Sequence, residues 1–177
     1  MCGQTIPVNG GIVLDMKGMN RILEINIRDG YCRVEPGVAD EDLNLALKEY
    51  GFFYPPAPAS SRIATIGGEI GNNASGVRSV KYGAVRDYVL GLNAVLPGGE
   101  ELKCGTKTRV VSSGYQLERL FVGSEGTLGV ITEATLKFIP TPRFRCLGIS
   151  NFLKLEEAGE AVADIISSGS NPSMLEL

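Results

Sequence analysis

A glycine-dense stretch in the middle of the chain, residues 55–83, most limits the folds open to this sequence. Proline fixes φ and lacks an N–H group, and glycine has no side chain to bury, so the stretch predicts neither a strand core nor a long helix. Its backbone is able to pass close to an anionic ligand, whose oxygens would face N–H groups at a turn or a helix start. Composition alone supports a ligand cradle and a long surface loop equally.

The sequence of 177 residues contains no histidine, and this excludes several chemistries. Histidine is the commonest general base and metal ligand, so a Ser-His-Asp or Cys-His catalytic set is ruled out within this chain. The four cysteines (Cys2, Cys32, Cys104 and Cys146) lack paired spacing, which predicts reduced thiols and no metal site. We predict no catalytic residue here; catalysis requires a cofactor, carboxylates, Lys and Tyr, or a part that the sequence lacks.

Charge and hydropathy exclude two kinds of partner. The net charge of −3 gives no basic surface for nucleic acid. No run of about 18 apolar residues occurs, so no membrane span is expected. The N-terminus lacks the basic and apolar regions of a signal peptide, and we expect a cytoplasmic protein. The length and an apolar fraction of 44% suit one sizeable globular domain.

Residue patterns predict an α+β fold with antiparallel strand pairs. Strands are expected at 10–15, 22–26, 31–35, 87–96, 101–104, 130–139 and 144–150, with the opening of another at 173–177. Helices are expected at 41–50 (with Asp40 as its N-cap), 66–73, 116–122 and 154–168. The β-α-β alternation of a doubly wound sheet is missing. Neither glycine cluster fits the Rossmann pattern, and no P-loop sequence occurs.

Three ordered segments carry a resemblance to a known family. They are residues 58–68, residues 72–76 with 81–83, and residues 120–133, which reads Leu-Phe-Val-Gly-Ser-Glu-Gly-Thr-Leu-Gly-Val-Ile-Thr-Glu. In order and spacing they resemble the FAD-binding domain of the p-cresol methylhydroxylase and vanillyl-alcohol oxidase superfamily. The nearest branch is that of glycolate oxidase and D-lactate dehydrogenase. The resemblance covers about residues 5–142.

The resemblance implies an α+β domain of the p-cresol methylhydroxylase type, with FAD between two α/β subdomains. We expect this FAD-binding domain at residues 1–142, truncated at its N-terminus, because the family's R-G-x-G-T-x-x-x-G phosphate loop would precede residues 7–11. Residues 143–177 are then expected to begin the substrate domain of FAD-linked oxidases. By this interpretation the chain is a fragment, inactive alone.

The family's cofactor contacts transfer to this sequence segment by segment. The resemblance implies that residues 59–65 follow the pyrophosphate and flavin, that residues 72–75 add contacts, and that residues 125–131 surround the adenine. Val130 and Ile131 are implied as main-chain partners of the ring. The implied FAD-binding residues are Pro58, Ala59, Ser60, Ser61, Ala64, Thr65, Gly67, Gly68, Asn72, Asn73, Ala74, Ser75, Gly76, Tyr82, Gly83, Glu125, Gly126, Thr127, Gly129, Val130 and Ile131.

The implied function is oxidation of a 2-hydroxy acid of the glycolate or D-lactate type. A base would take the hydroxyl proton while hydride passes from the substrate α-carbon to flavin N5. An electron-acceptor subunit is a further implied partner.

Several alternatives remain open on the sequence. The chain is also interpreted as a nucleotide-binding module without catalysis, which the absence of histidine favours. The enolpyruvyl reductase of cell-wall synthesis shares the fold but fits residues 125–131 poorly. Asn72 and Asn73 are also typical of helix caps, and Tyr82 of a half-buried core tyrosine. The basic residues Arg78, Lys81 and Arg86 either offset a pyrophosphate or form a solvated face.

Overall fold

The computed structural model describes residues 5–176, so Cys2 and the last residue of the strand expected at 173–177 lie outside the described residues. Seven strands are present: β1 (Ile22–Asn26), β2 (Tyr31–Val34), β3 (Phe52–Phe53), β4 (Val89–Val95), β5 (Glu101–Gly105), β6 (Val130–Lys137) and β7 (Ile139–Pro140). Five α-helices accompany them: α1 (Asp40–Lys48), α2 (Ile66–Asn72), α3 (Ser79–Tyr82), α4 (Glu118–Phe121) and α5 (Leu155–Ser167). Two single 3₁₀ turns cover Met16–Gly18 and Val85–Asp87.

Five of the strands form one antiparallel sheet in the order β1-β2-β6-β4-β5. The β1–β2 hairpin turns at Gly30, which has φ of 72° and donates its N–H to the carbonyl of Asn26. Strand β2 then pairs with β6 from Tyr31↔Lys137 to Val34↔Ala134. The two remaining strands, β3 and β7, pair with each other in a small separate sheet.

Strand alternation gives the two faces of the sheet opposite characters. Cys32 and Leu136 are fully buried on one face, where α1 and α2 contribute Leu43 and Ile70 to the same apolar core. On the other face, polar side chains pair across the strands. There Arg33 donates from Nε and Nη2 to the two carboxylate oxygens of Glu133, at 2.7 and 2.9 Å. The folded core therefore lies between the sheet and these two helices.

The α+β class, the hairpin, the β4–β5 pair, β6, α1, α2 and α5 are confirmed, with bounds shifted by at most two residues. The strands expected at 10–15 and 144–150 are wrong. No described strand pairs with either segment, and apolar side chains there, such as Ile12 and Phe144, are 96% and 92% exposed. Residues 173–176 are not in a strand either. An apolar run that pairs with no other strand does not become β structure.

Two smaller corrections concern helices. Asp40 is not the N-cap of α1 but its first residue, and the cap position belongs to Ala39, which makes no side-chain cap bond. Helix α4 is only four residues long. Helix α5 is amphipathic, yet only Ala158 on it is buried and Leu155 is 74% exposed. None of the helices within residues 5–176 is long and apolar enough to cross a membrane.

Candidate cofactor site

Helix α2 carries the first glycine cluster and is held at its start by the segment after β2. The N–H of Ile66 donates to the carbonyl of Val38 and that of Gly67 to the carbonyl of Pro36, both at 2.8 Å. The Thr65 hydroxyl accepts from the N–H of Gly68 at 3.4 Å, as an N-cap does. These bonds use the first N–H groups of the helix, so the start of α2 does not offer them to a phosphate.

Two glycines of this cluster leave room for neighbouring backbone. A Cβ on Gly67 would lie 2.6 Å from Cβ of Pro36, and one on Gly76 would overlap the carbonyl of Ala57. Both positions are partly buried. The absence of a side chain here is explained by contacts within the chain itself.

The two glycine clusters are joined directly by backbone hydrogen bonds. The N–H of Gly123 donates to the carbonyl of Ile70, and that of Glu125 to the carbonyl of Gly71, both at 2.9 Å. These acceptors are carbonyls near the C-terminal end of α2, which the helix leaves available. Segments more than 50 positions apart in the sequence therefore form one continuous surface, which we call the glycine wall (residues 66–76 and 122–129).

Backbone conformations within the glycine wall are unusual. Among the described residues, only Asn73 and Glu125 have positive φ without being glycine, at 47° and 53°. Asn73 is the C-cap of α2, and the N–H of Glu125 bonds to the carbonyl of Gly71 in that helix. Both residues therefore lie where the two clusters meet. Residues held in the left-handed region cost free energy and concentrate at functional sites, which makes this wall the leading candidate in the described chain.

The second cluster is more open than the first. Gly126 has φ of 78°, and a Cβ there would meet no atom within 4 Å. Thr127 donates its N–H and its hydroxyl to the carbonyl of Ser124, forming a tight exposed turn. Gly129 differs, because a Cβ there would lie 2.6 Å from the carbonyl of Val95. Open space is thus concentrated at the tip of the turn.

Strand β6 presents a free edge beside this turn. Its pairing with β2 ends at Ala134, so no described strand pairs with residues 130–133 on that side. Val130 is 36% exposed, whereas Ile131 is buried in the core. Unpaired main-chain groups next to an exposed apolar side chain suit a flat heteroaromatic ring.

The loop at 58–65 folds on itself and rests on α1. The Ala64 N–H donates to the carbonyl of Ser60, and the Ala64 carbonyl accepts from the N–H of Asp40 at 3.0 Å. The Ser61 N–H donates in turn to the carbonyl of Pro58. Ala59 is exposed, and the serines of the loop are half-buried. The loop enters α2 through Thr65 and so belongs to the same surface.

The remaining predicted residues have partners of their own. Asn72 donates its side-chain amide to the carbonyl of Gly68, and the Asn73 side-chain oxygen accepts from the N–H of Arg86, both at 3.0 Å. Asn73 is the C-cap of α2 through its backbone, as the capping interpretation expects, whereas Asn72 is the last residue of the helix. The N–H of Gly76 donates to the Ser79 hydroxyl, whereas Ser75 is exposed.

Tyr82 and Gly83 are linked to the wall through the chain that follows α2. The Ala74 carbonyl accepts from the N–H of Val85, just after them. Tyr82 is half-buried with its ring edge-on to Phe53 at 5.7 Å, and Lys81 Nζ lies 5.5 Å from the Tyr82 ring centre. Gly83 has φ of 78° and leaves room for the Asp87 carboxylate.

Sequence reasoning missed the segment that receives α2 and two buried acids beneath it. Pro36 and Val38 accept the first bonds of α2, and the only sequence signal for them is a Pro-Gly pair after a strand. Asp40 and Glu69 are each 3% exposed. Burial raises the pKa of Glu69 to about 8 and that of Asp40 to about 7, against the opposing charge of Arg78 on Asp40.

A cavity of about 210 Å³ lies elsewhere, at the end of β5 and under the loop that follows it. Arg109, Glu118 and Arg119 are among the residues that line it, and no residue of the predicted cofactor set does. The predicted cofactor surface is an open wall and not a closed pocket.

Comparison with known proteins agrees with this geometry. A family model described as an FAD binding domain matches residues 1–105. The glycolate oxidase subunit GlcD of Bacillus subtilis (strain 168) is 45% identical over 176 residues, which are 99% of this chain and 37% of that protein. The mitochondrial D-lactate dehydrogenase (cytochrome) of Arabidopsis thaliana is 39% identical over 175 residues, 99% of this chain and 30% of that protein.

A solved structure shares the fold as well. Alkyldihydroxyacetonephosphate synthase superimposes with a TM-score of 0.76 at 29% identity, over 90% of this chain and 28% of that one. The chain spans about a third of the length of the curated relatives it matches. The expected p-cresol methylhydroxylase-type fold is confirmed by these likenesses.

Proposed function

Because the chain belongs to the family of FAD binding domains, with FAD as its cofactor, we propose that it holds the flavin of a 2-hydroxy acid dehydrogenase or oxidase. The substrate would be of the glycolate or D-lactate type, as the names of two relatives indicate. The observation that carries the proposal is the pair of bonds from Gly123 and Glu125 to the end of α2. They make one surface from the two segments that the family resemblance assigns to opposite ends of FAD.

The described residues fit FAD at the adenine end. The free edge at 130–133 has main-chain groups without strand partners, and Val130 adds exposed apolar surface. Gly126 has open space on its side-chain position, so a ligand meets no Cβ there. We assign residues 125–131 to the adenine end.

The pyrophosphate and flavin are assigned to the loop at 59–65 and to the wall at 67–76. Ser75 is exposed there, whereas the N–H groups of Gly67 and Gly68 already bond to Pro36 and Thr65, so these two glycines allow close packing of the wall and offer no N–H to the phosphates. The cations Arg78, Lys81 and Arg86 follow immediately and offset negative charge. Tyr82 and Gly83 complete the proposed set next to these cations.

The chain's own part in the reaction is binding and positioning. When bound, the flavin supplies the capacity to accept a hydride. With no histidine in the sequence, we assign this chain no proton-transfer step on the substrate. The wall residues fix the cofactor's position, and their close packing excludes water from one side of it.

The identity of the hydroxy acid, an electron-acceptor subunit and a cytoplasmic location remain predictions. The names of the relatives support the substrate class, since one is a D-lactate dehydrogenase and another a glycolate oxidase subunit.

Titration of the chain with FAD and with ADP tests the proposal. We expect flavin fluorescence to be quenched on binding and FAD to bind at least ten-fold more tightly than ADP, a difference of about 1.4 kcal/mol. Equal affinities would favour the nucleotide-binding module, and no binding of either would refute both. A protein that joins this chain to a phosphate loop and a substrate domain should be yellow and bleached by D-lactate or glycolate under anaerobic conditions.

Two matched glycines localise the site. Gly126 and Gly114 have φ of 78° and 82°, and a Cβ at either meets no atom within 4 Å. Alanine therefore imposes the same backbone cost at both positions. We expect Gly126→Ala to weaken FAD binding about ten-fold, or ~1.4 kcal/mol, and Gly114→Ala to leave it unchanged. Equal effects of the two variants would remove residues 125–131 from the site.

A further inference from the structure

Three polar side chains face the interior beneath α2, and we call them the acid cluster: Asp40, Tyr54 and Glu69. They come from the first residue of α1, the residue after β3 and the middle of α2. Their exposed fractions are 3%, 0% and 3%. They lie close enough that the charge of Asp40 raises the pKa of both Glu69 and Tyr54.

The acid cluster has fewer hydrogen bonds than its burial requires. Asn44 donates its amide to Asp40 Oδ1 at 3.1 Å and accepts from the N–H of Tyr54 at 2.9 Å. The two carboxylate oxygens of Glu69 and the Tyr54 hydroxyl have no hydrogen-bond partner among residues 5–176. A buried ionised carboxylate without partners is far more costly than a neutral carboxyl in the same place.

We propose that the acid cluster is an internal proton-binding site, occupied at neutral pH, whose deprotonation loosens α2 and with it the glycine wall. A protonated carboxyl is neutral, so Glu69 in this form leaves no unpartnered charge in the interior. The proton is the ligand, and the site is separate from the FAD surface above it.

The charges around the cluster support this assignment. Burial is the main reason that the pKa of Glu69 rises to about 8, with a further rise from Asp40. Burial likewise raises the pKa of Asp40 to about 7, where Arg78 acts against the rise and Glu41 adds to it.

The tyrosine of the cluster has only neutral or acidic neighbours. Burial and the acids of the cluster raise its pKa well above the usual value, with Cys32 and Tyr88 contributing less. No cation is among the groups that act on Glu69 or Tyr54 in the described chain. The carboxyl of Glu69 therefore has no counterion that would stabilise its ionised form.

The direction of the pH effect follows from these shifts. Both carboxyls bind protons more tightly in the folded chain than in the unfolded one, where carboxyl pKa values are about 4. Their contribution to stability is complete below that value and is lost as pH rises through about 7 and about 8. The cluster therefore weakens the fold at alkaline pH.

Glu69 lies on the helix that carries the first glycine cluster and bonds to the second, so the loss of stability at alkaline pH affects both clusters. Gly67 and Gly68 lie before Glu69 in the first turn of α2, and the next two residues, Ile70 and Gly71, accept the bonds from the second cluster. Displacement of α2 by an ionised Glu69 would break these contacts together. The proton site and the wall share one short helix.

Carboxyl ¹³C NMR of the chain labelled at glutamate Cδ tests the site without FAD. We expect one glutamate signal, absent in Glu69→Gln, to titrate near pH 8, while ordinary glutamates titrate at about 4.3. Glu156→Gln, at an exposed position of α5, should remove only an ordinary signal. If every glutamate signal titrated below pH 6, the proposal would be overturned.

Urea unfolding provides a second, independent measurement. The unfolding midpoint of the unmodified chain should fall between pH 5 and pH 9, and that of Glu69→Gln should fall much less. Tyr54→Phe, which removes the unpartnered hydroxyl, should keep the pH dependence. The proposal fails if Glu69→Gln retains the full pH dependence of the unmodified chain.

The consequence for the cofactor rests on the proposed function and is tested separately. FAD affinity should weaken about ten-fold between pH 7 and pH 9 in the unmodified chain and stay constant in Glu69→Gln. An FAD affinity independent of pH, with a Glu69 signal near pH 8, would overturn the link to the glycine wall. Absence of FAD binding at every pH would instead refute the proposed function, and the NMR result would still decide the proton site.

Discussion

The two glycine clusters of the wall differ in what occupies the space that a side chain would take. In the first, Gly67 and Gly76 face Pro36 and the backbone of Ala57. In the second, Gly126 at the tip of the turn faces open space, and only Gly129 beside β6 is packed, against the carbonyl of Val95. Similar composition therefore serves two purposes: close packing of the chain on itself, and backbone that stays accessible to a ligand. A glycine indicates a close approach, but only the structure tells which partner approaches.

Replacement of Gly76 should have the largest effect, because its neighbour is backbone. A Cβ there overlaps the carbonyl of Ala57, which moves only if the loop moves. We expect Gly76→Ala to lower the free energy of unfolding by about 3 kcal/mol. Gly148→Ala is the control, since a Cβ at Gly148 meets nothing within 4 Å. Urea unfolding of both variants measures the difference, and equal stabilities would contradict the packing role.

Gly67→Ala should have a smaller effect of the same sign. The new Cβ would lie 2.6 Å from Cβ of Pro36, and alanine's preference for helix offsets part of the strain. We expect a loss of about 1.5 kcal/mol in the free energy of unfolding. FAD affinity should fall no further than this loss of stability explains. A large loss of FAD affinity with an unchanged free energy of unfolding would show that Gly67 faces the ligand and not Pro36.

Asn73 is the next test, since it holds a positive φ and also a hydrogen bond. Glycine relieves the backbone conformation but removes the oxygen that accepts from the N–H of Arg86. The lost bond outweighs the relief, so Asn73→Gly should lower the free energy of unfolding by about 0.5 to 1 kcal/mol. Thermal or urea unfolding checks this, and an increase in stability would show that the bond contributes little.

Glu125→Gly should have the smallest effect, with the opposite sign. Glu125 has φ of 53°, is exposed, and makes no side-chain hydrogen bond among the described residues. Glycine adopts this conformation without strain, so we expect a gain of about 0.5 kcal/mol in the free energy of unfolding. If Glu125→Gly destabilised the chain as Asn73→Gly is expected to, the carboxylate would have a structural role.

Periodic patterns made most of the fold predictable. Strand β6 and helix α1 show the spacings of a strand and an amphipathic helix, and both lie where the sequence placed them. The strands expected at 10–15 and 144–150 failed because a local pattern carries no information about a partner strand. Pairing depends on contacts distant in sequence, as the register between Tyr31 and Lys137 shows.

The candidate site was predictable in its composition but not in its internal contacts. The resemblance selected both glycine clusters, and the structure joins them through Gly123 and Glu125. The sequence does not reveal that Pro36 already accepts the N–H of Gly67, because the two are 31 positions apart. Nor does it reveal that Glu69, an acidic residue in a glycine-rich stretch, is buried. Burial is a property of the assembled chain.

The free edge of β6 at residues 130–133 has a consequence for handling the protein. The unpaired main-chain groups proposed to meet the adenine ring are also able to pair with a strand from another molecule, and exposed edges are starting points for aggregation. Bound FAD would then act as a cover that keeps copies apart. Light scattering of concentrated samples should show association without FAD and less of it with FAD, so that flavin supply would govern solubility as well as function.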